Sequence, residues 1–493
     1  MFLLKYIYFL SLSIIPIWAA DLTCPGMPIT TESGDFPQGG PTVFPKNYNC
    51  YFQFQIPDGQ VVKFDVQTNA DTDAGDKLVI EDSTGTNHEM YTGEITYYAA
   101  ANNANVKITT KTNNASFHFS WKFIDVTTFN KIQNPSGTIL NLNLTANTFY
   151  QFNSELSNIT FHTANLDRTF DVSLAYIYVY DGQDLNGKFL GHLLQFSGSM
   201  KTQSTTGKSL VLVNFYGSNS RSYGIANDYS SVFSYNTYEL IVASSGINYY
   251  SNYVVPTGKE SAFTYFCVDS METYIIDLNI VDQNVVGQSI SFKPLTPTQF
   301  QSNLLIYKHG DPIAQSLPQQ IPTNTFTVIM SQSTFNFLLS SGPSSIWNLA
   351  PPGRRGWIIS PSLWNPTTTA TVPYTSNFTS VEKIKFIFNL ISVVIVDEGA
   401  EMKITMGSPG IPPNVVEFNQ TAVNTGSRSV YGTYMSTEFT GSTDISSFLL
   451  NFEIVGNPAT ATTAQLETTT KTANLFINIP LVLFIFVRLL LAL

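Results

Sequence analysis

Hydrophobic residues recur at every second position over short runs, the period of a strand and not of a helix. In VVKFDVQT, Val62, Phe64 and Val66 share one face. DKLVIEDSTG puts Leu78 and Ile80 together and breaks into a turn at 83–85. Val106 and Ile108 alternate, and Phe117, Phe119, Trp121 and Phe123 fall on a common face. Such strands, with a turn every ten or so residues, predict antiparallel sheets packed face to face.

The block recurs. LAYIYVYDG (174–182) parallels KLVIEDSTG (77–85), and SLVLVNFYGS (209–218) is a further strong strand. The first of these is apolar on both faces, as a strand covered on both sides must be. Fainter echoes are LLIYKHGD (304–311) and SVVIVDEG (392–399). A spacing of about 100 residues between the turn residues Asp82, Asp181, His309 and Asp397 predicts tandem domains of similar size. Candidate linkers lie at 130–137, 244–258 and 341–356. The Thr/Ala-rich stretch 458–473 lacks the apolar residues for a core and predicts a solvated stalk.

Both ends are strongly apolar. Residues 1–20 carry one early charge, Lys5, then an apolar run and Ala19–Ala20, the layout of a secretory signal peptide. Residues 475–493 form an apolar tail behind a polar, small-residue segment, which predicts a signal for a glycosylphosphatidylinositol (GPI) anchor. The alternative is a single-pass membrane protein with its bulk outside, although Arg488 interrupts the span and no positive flank follows.

Composition supports this picture. Charged residues make up only 12%, against 36 Phe and 25 Tyr, which favours β structure. The formal charge is −11, more negative once Lys5 and Arg488 leave with the terminal signals. No basic block exists, so nucleic acid is not a predicted partner; the outer membrane leaflet is met only through the lipid. Export makes a Cys24–Cys50 disulfide the natural pairing. Cys267 is left over, either a buried thiol or an intermolecular bridge. Asn114, Asn143, Asn158, Asn377 and Asn419 head N-x-S/T sequons and are candidate N-glycosylation sites.

At these residues the chain resembles the CUB superfamily, and 22–128 resemble the CUB-like domain expanded in nematodes. The carrying features are Cys24 with Pro25, Cys50 ahead of YFQFQIPDG, D-x-L-x-I-x-D from Asp76 to Asp82, and FSWKF at 119–123. Residues 174–224 separately resemble ordinary CUB domains through YIYVYDG, Leu190–Gly191 and Val211, Val213 and Phe215. The resemblance implies an all-β fold of tandem CUB-like jellyroll β-sandwich domains. The expected order is a signal peptide (1–20), a CUB-like domain (21–128), a second one (129–243), and two weakly CUB-like β-rich domains (244–349 and 350–456). A Thr-rich stalk with the attachment site (457–474) and the anchor signal (475–493) follow. Family members are secreted or GPI-anchored and associated with responses to infection and stress.

Many CUB domains hold calcium through converging acidic side chains. In the second domain the family positions fall on Ala175, Asp167 and the neighbourhood of Ser218, too few carboxylates for a site. In the first they fall on Asp76 and Thr68, with Asp71 and Asp73 nearby, which reads as an acidic turn. No metal or other cofactor is therefore predicted. No catalytic motif has supporting context either: Thr92 stands where a zincin needs its second His, and Thr202 where a phosphate loop needs Gly. The five histidines, His88, His118, His162, His192 and His309, show no metal-ligand spacing. Aromatic clusters are the remaining candidates: Tyr249, Tyr250 and Tyr253, and Trp347, Trp357 and Trp364 around Arg354 and Arg355. They either fill cores or stack on sugars and bind acidic groups.

The sequence thus predicts a non-enzymatic cell-surface glycoprotein that binds an extracellular protein or glycan, with a role in innate immune or stress responses implied by the resemblance. The alternative is a structural, glycosylated coat component of an apical surface without a specific ligand. An unrecognised hydrolase ranks last.

Overall fold

A computed structural model describes residues 21–457, apart from 101, 167–168, 198–203, 218–219, 282–285, 300–301, 367–372 and 441–445. The expected signal peptide, the stalk from 458 onward and the hydrophobic tail lie outside the described residues, as do Asp167 and Ser218.

Alternation builds the first domain as the sequence predicts. In Asn49–Gln55, Cys50, Phe52 and Phe54 point inward and their neighbours outward. That strand pairs with Asn103–Thr109, which pairs with Lys77–Glu81, which pairs with Asn87–Met90. The facing sheet runs Ser33–Phe36, Ser116–Asp125, Gln60–Asn69, Gly93–Ala99. Val62, Phe64, Val66, Phe117 and Phe119 meet Phe52, Leu78 and Ile80 in one core. A disulfide joins Cys24 and Cys50.

The second domain repeats this order. Thr148–Asn153, Ser209–Asn214, Ile177–Asp181 and Lys188–His192 form one sheet, and Ile139–Asn141, Ser222–Asp228 and Ile159–Asn165 the other. The third repeats it again with Glu260–Cys267, Thr325–Ser331, Ser289–Pro294 and Leu305–Lys308 facing Asn248–Val254, Thr334–Ser341 and Thr273–Val281. Each of these two domains also begins with a parallel edge strand, Asn130–Pro135 or Tyr238–Ala243. In the first domain that edge shrinks to a single parallel bridge between Ile29 and Phe54. The chain lays down an edge, crosses to the opposite sheet and returns in its original direction, so the pair is parallel without a crossover helix.

Three expectations need correction. The boundary after 243 follows a strand whose partner, Glu260–Cys267, belongs to the third sandwich, so that sandwich begins near Tyr238. The echo at 304–311 is misaligned: Ser289–Pro294 holds the place of Ile177–Asp181, and Leu305–Lys308 that of Lys188–His192. The linkers at 130–137 and 244–258 are largely the strands Asn130–Pro135 and Asn248–Val254, and the one at 341–356 contains buried Trp347 and Arg354.

The fourth domain departs from the plan. Its strands form one seven-stranded sheet around the long strand Tyr374–Val394. Bulges between Thr379 and Ile384 and between Leu390 and Ser392 bend that strand. Phe378, Phe386, Phe388, Leu450 and Phe452 fill the core it bends around. Helix among the described residues includes only single turns such as Leu193–Phe196 and Pro361–Trp364, and none is long and apolar enough to cross a membrane.

Candidate functional site

Two domain junctions gather the side chains with chemical potential. At the first, strand Ile177–Asp181 explains its two apolar faces. Ile177 and Val179 enter the second domain's core. Tyr178 and Tyr180 point the other way, into a cluster with Phe189, Val211, Phe215 and Val61, Ala100 and Val126 of the first domain. The second cover is thus a neighbouring domain. The Tyr178 hydroxyl donates to the Tyr98 carbonyl, and the Tyr216 hydroxyl accepts the Tyr98 N–H at 3.1 Å. Tyr98 stacks on Phe215 with centroids 5.0 Å apart. The Gly59 N–H reaches Asn186 Oδ1 across the junction at 3.0 Å. Beside these contacts lies a cleft of ≈ 760 Å³ lined by residues including Asp58, Thr84, Asn102, Asn186 and Lys188.

Asp82, His88 and His192 converge at this junction. Asp82 follows strand Lys77–Glu81, and its Oδ1 organises the turn by accepting from Thr84 N at 2.8 Å, Thr84 Oγ1 at 2.5 Å and Thr86 N at 3.1 Å. Its Oδ2 lies 2.8 Å from His88 Nε2 on the returning strand. Burial opposes the charge on Asp82. The hydrogen bonds from His88, Thr84 and the Thr84 and Thr86 amides outweigh it and hold the carboxyl below its usual range. His192 ends strand Lys188–His192 in the second domain, and its Nδ1 lies 2.7 Å from the Ala175 carbonyl oxygen. An oxygen there can only accept, so Nδ1 carries the hydrogen and Nε2 presents a lone pair. The His88 and His192 rings meet edge to face at 5.3 Å, with Tyr97 4.7 Å from His88 and Tyr178 4.4 Å from His192. Burial, then the neighbouring His88, push His192 down to about 4, so it is neutral at neutral pH.

Sequence spacing missed this group because each domain contributes only part of it. It is the one set of three or more His, Cys, Asp or Glu side chains among the described residues placed to share a metal ion. Of the acidic positions weighed for calcium, Asp71 and Asp76 are otherwise engaged, as is the turn residue Asp181. Asp76 is buried and accepts from Lys111 N, Thr112 N at 2.9 Å and Thr112 Oγ1. Asp71 caps Ala74 N at 3.1 Å, and Asp181 binds Thr206 N and Oγ1, each at 2.7 Å. Among the described residues, His88 Nε2 lies against Asp82 and His192 Nδ1 against the Ala175 carbonyl, and neither ring hydrogen-bonds to a Ser, Thr or Cys side chain.

The other junction joins the third and fourth domains. Trp364 enters the third domain's core, and Tyr274 and Trp347 enter the fourth's. Arg354, only 3% exposed, lies over the Trp347, Phe378 and Phe452 rings at 4.9, 5.0 and 5.7 Å. Its guanidinium donates to the carbonyls of Trp347 at 2.7 Å, Leu349, and Pro318 at 3.2 Å. Burial lowers its pKa to about 10. Gln319 pairs with the Trp357 backbone, its Nε2 donating to the carbonyl at 2.8 Å and its Oε1 accepting the N–H at 3.0 Å.

Outward from this lock, Arg355 and Trp357, both half-buried, share the outer face of strand Arg355–Ile359, and Trp357 also packs against the third domain's core. Register aligns Trp357 with Asn451 and Asn389, and Arg355 with Glu453 and Ile387. Ile306, Asp311 and Pro312 of the third domain wall this surface into a groove of ≈ 680 Å³.

The remaining candidates divide. Trp347 and Trp364 are core residues; Tyr249 is buried, and Tyr253 stacks between Phe263 and Phe337 at 5.5 and 5.8 Å. Tyr250 is 63% exposed. Cys267 is a buried free thiol, out of reach of an intermolecular bridge. Asn114, Asn143, Asn377 and Asn419 are exposed. Asn158 is half-buried, and its Nδ2 donates to the Thr205 carbonyl at 3.1 Å.

Comparison with known proteins agrees for the first sandwich. Residues 19–127 match the CUB-like domain family. That CUB-like domain carries Asp82, His88 and the disulfide. No curated protein matches the chain. Among solved structures it is similar to the CUB1-EGF-CUB2 domain of human MASP-1/3, at 10% identity over 40% of this chain and 100% of that one, TM-score 0.17. It is also similar to the CUB1-EGF-CUB2 domains of rat MASP-1 (7% identity, 63% and 96% covered, TM-score 0.18). The full extracellular region of zebrafish Gpr126/Adgrg6 is similar at 11% identity, with 88% and 53% covered and TM-score 0.18. Scores this low say nothing of domain arrangement or ligand.

Proposed function

We propose that this chain is a non-enzymatic surface glycoprotein that binds an extracellular glycan, or a protein through its glycan, in the groove between its third and fourth domains. The observation that carries the reading is the row formed by Trp357, Asn451 and Asn389 beside Arg355 and Glu453. The part of the half-buried indole that lines the groove offers a stacking face, and amides and charges within the same groove fix hydroxyl or carboxylate groups. A CUB-like domain at the other end of the chain fits an extracellular binding role. The four exposed sequons carry N-glycans, and a lipid anchor at the C-terminal signal holds the protein at the cell surface. The resemblance to CUB-like proteins supports a role in defence and stress responses as part of this reading.

The test is a glycan array probed with the protein released from cells, alongside its Trp357→Ala and Arg355→Ala variants. The reading expects selective binding that Trp357→Ala abolishes and Arg355→Ala weakens most for acidic glycans. Binding unchanged by both substitutions removes the groove from the function. No selective binding at all favours the coat component.

A further inference from the structure

We propose that Asp82, His88 and His192 form a binding site for one divalent transition-metal ion of the zinc class, which clamps the CUB-like domain to the second domain. The candidate ligand atoms all lie within 4.8 Å of one another. Tetrahedral zinc, with ligands at about 2.0–2.1 Å, needs them about 3.3–3.5 Å apart, so the widest pair closes by at most about 1.5 Å while Asp82 Oδ2 and His88 Nε2, now 2.8 Å apart, open slightly. Two imidazoles and a carboxylate are a borderline donor set that suits zinc and disfavours calcium, which needs six or more oxygens.

The supporting shell is present. Metal-bound histidines characteristically donate their other ring nitrogen to a carbonyl or carboxylate, and His192 Nδ1 meets the Ala175 carbonyl at 2.7 Å. Three donors fix Asp82 Oδ1 and leave Oδ2 facing the cluster. The independent observation is His192 itself. It is 6% exposed, and its Nε2 is buried without any hydrogen-bond partner. A buried lone pair without a donor is costly, and metal coordination satisfies it. The adjacent Tyr97 hydroxyl is also buried and unpartnered, and can hydrogen-bond to a fourth, water ligand.

Binding requires His88 Nε2 to change from donor toward Asp82 to ligand. Its proton moves to Nδ1 through solvent, which the ring's 21% side-chain exposure allows, so no net proton is released by that step. Asp82 Oδ2 then faces the cation.

The experiment uses full-length protein purified in detergent, stripped with a chelator and titrated with Zn²⁺ by calorimetry and thermal melting, then with Co²⁺ by visible spectroscopy. The proposal expects one equivalent bound, a higher melting temperature, and the visible d–d bands of four-coordinate Co²⁺. His88→Gln and His192→Gln should each weaken binding by more than about 100-fold, and Thr84→Ala, which loosens Asp82, by about 10-fold. Should His192→Gln fail to fold, the wild-type Co²⁺ spectrum and His88→Gln decide. A buried water bridging the same atoms is the competing occupant. No saturable binding, or binding that survives His88→Gln unchanged, overturns the proposal.

Discussion

The first–second and third–fourth junctions solve one problem in opposite ways. Each must join two domains that meet through apolar side chains. The third–fourth junction exchanges aromatic side chains between cores and caps them with Arg354, whose Nη groups meet three carbonyls. The first–second junction lays two flat faces together and leaves His192 Nε2 and the Tyr97 and Tyr180 hydroxyls buried without partners. The third–fourth junction leaves Arg354 Nε and Trp364 Nε1 unpartnered as well, but among the described residues it is the lone pair of His192 Nε2 that faces a second imidazole and a carboxylate. The difference marks one junction as a lock and the other as a site.

The largest effect should come from the lock. Arg354→Met strands three carbonyls and should destabilise the third–fourth unit by about 3 kcal/mol or more. Arg354→Lys should restore little, because an ammonium cannot present the same planar fork over three rings. Chemical denaturation measures both, and a neutral Arg354→Met would dissolve the contrast.

At the first–second junction, Tyr178→Phe removes the donor to the Tyr98 carbonyl and should cost about 1–2 kcal/mol. If the cost matches that of Arg354→Met, the first–second junction is a lock too.

The second–third junction gives a smaller, pH-dependent comparison. The His162 ring meets Tyr238 at 4.7 Å, and burial lowers its pKa from 6.5 to about 4. The unfolded chain takes up a proton near pH 6.5 that the folded one refuses until about 4. Stability should therefore fall as pH drops through that window. His192, lowered to about 4 as well, contributes a like share, so His162→Gln should reduce the slope without abolishing it, as melting curves between those pH values would show. An unchanged slope would assign it to other groups.

What the sequence disclosed follows from what alternation can encode. Val62, Phe64, Val66, Phe117 and Phe119 were legible as core because a strand's period is two. The two apolar faces of 177–181 were legible too, but not that a second domain supplies one cover. Arg354 looked like a ligand-binding charge, because sequence reading expects guanidinium groups in solvent. The misplaced echo at 304–311 shows that one short apolar strand resembles its neighbour in the sheet as well as its counterpart in another domain. The metal-competent group was invisible, since Asp82 and His88 wait on a histidine that only domain packing delivers.

Hydrogen–deuterium exchange of the full-length protein, with and without Zn²⁺, tests the contrast most directly, because local opening reports where binding energy is felt. Peptides covering 77–90 and 188–196 should gain protection with the metal, while those covering 347–364 stay unchanged. Equal protection at both junctions, or none at 77–90, would contradict it.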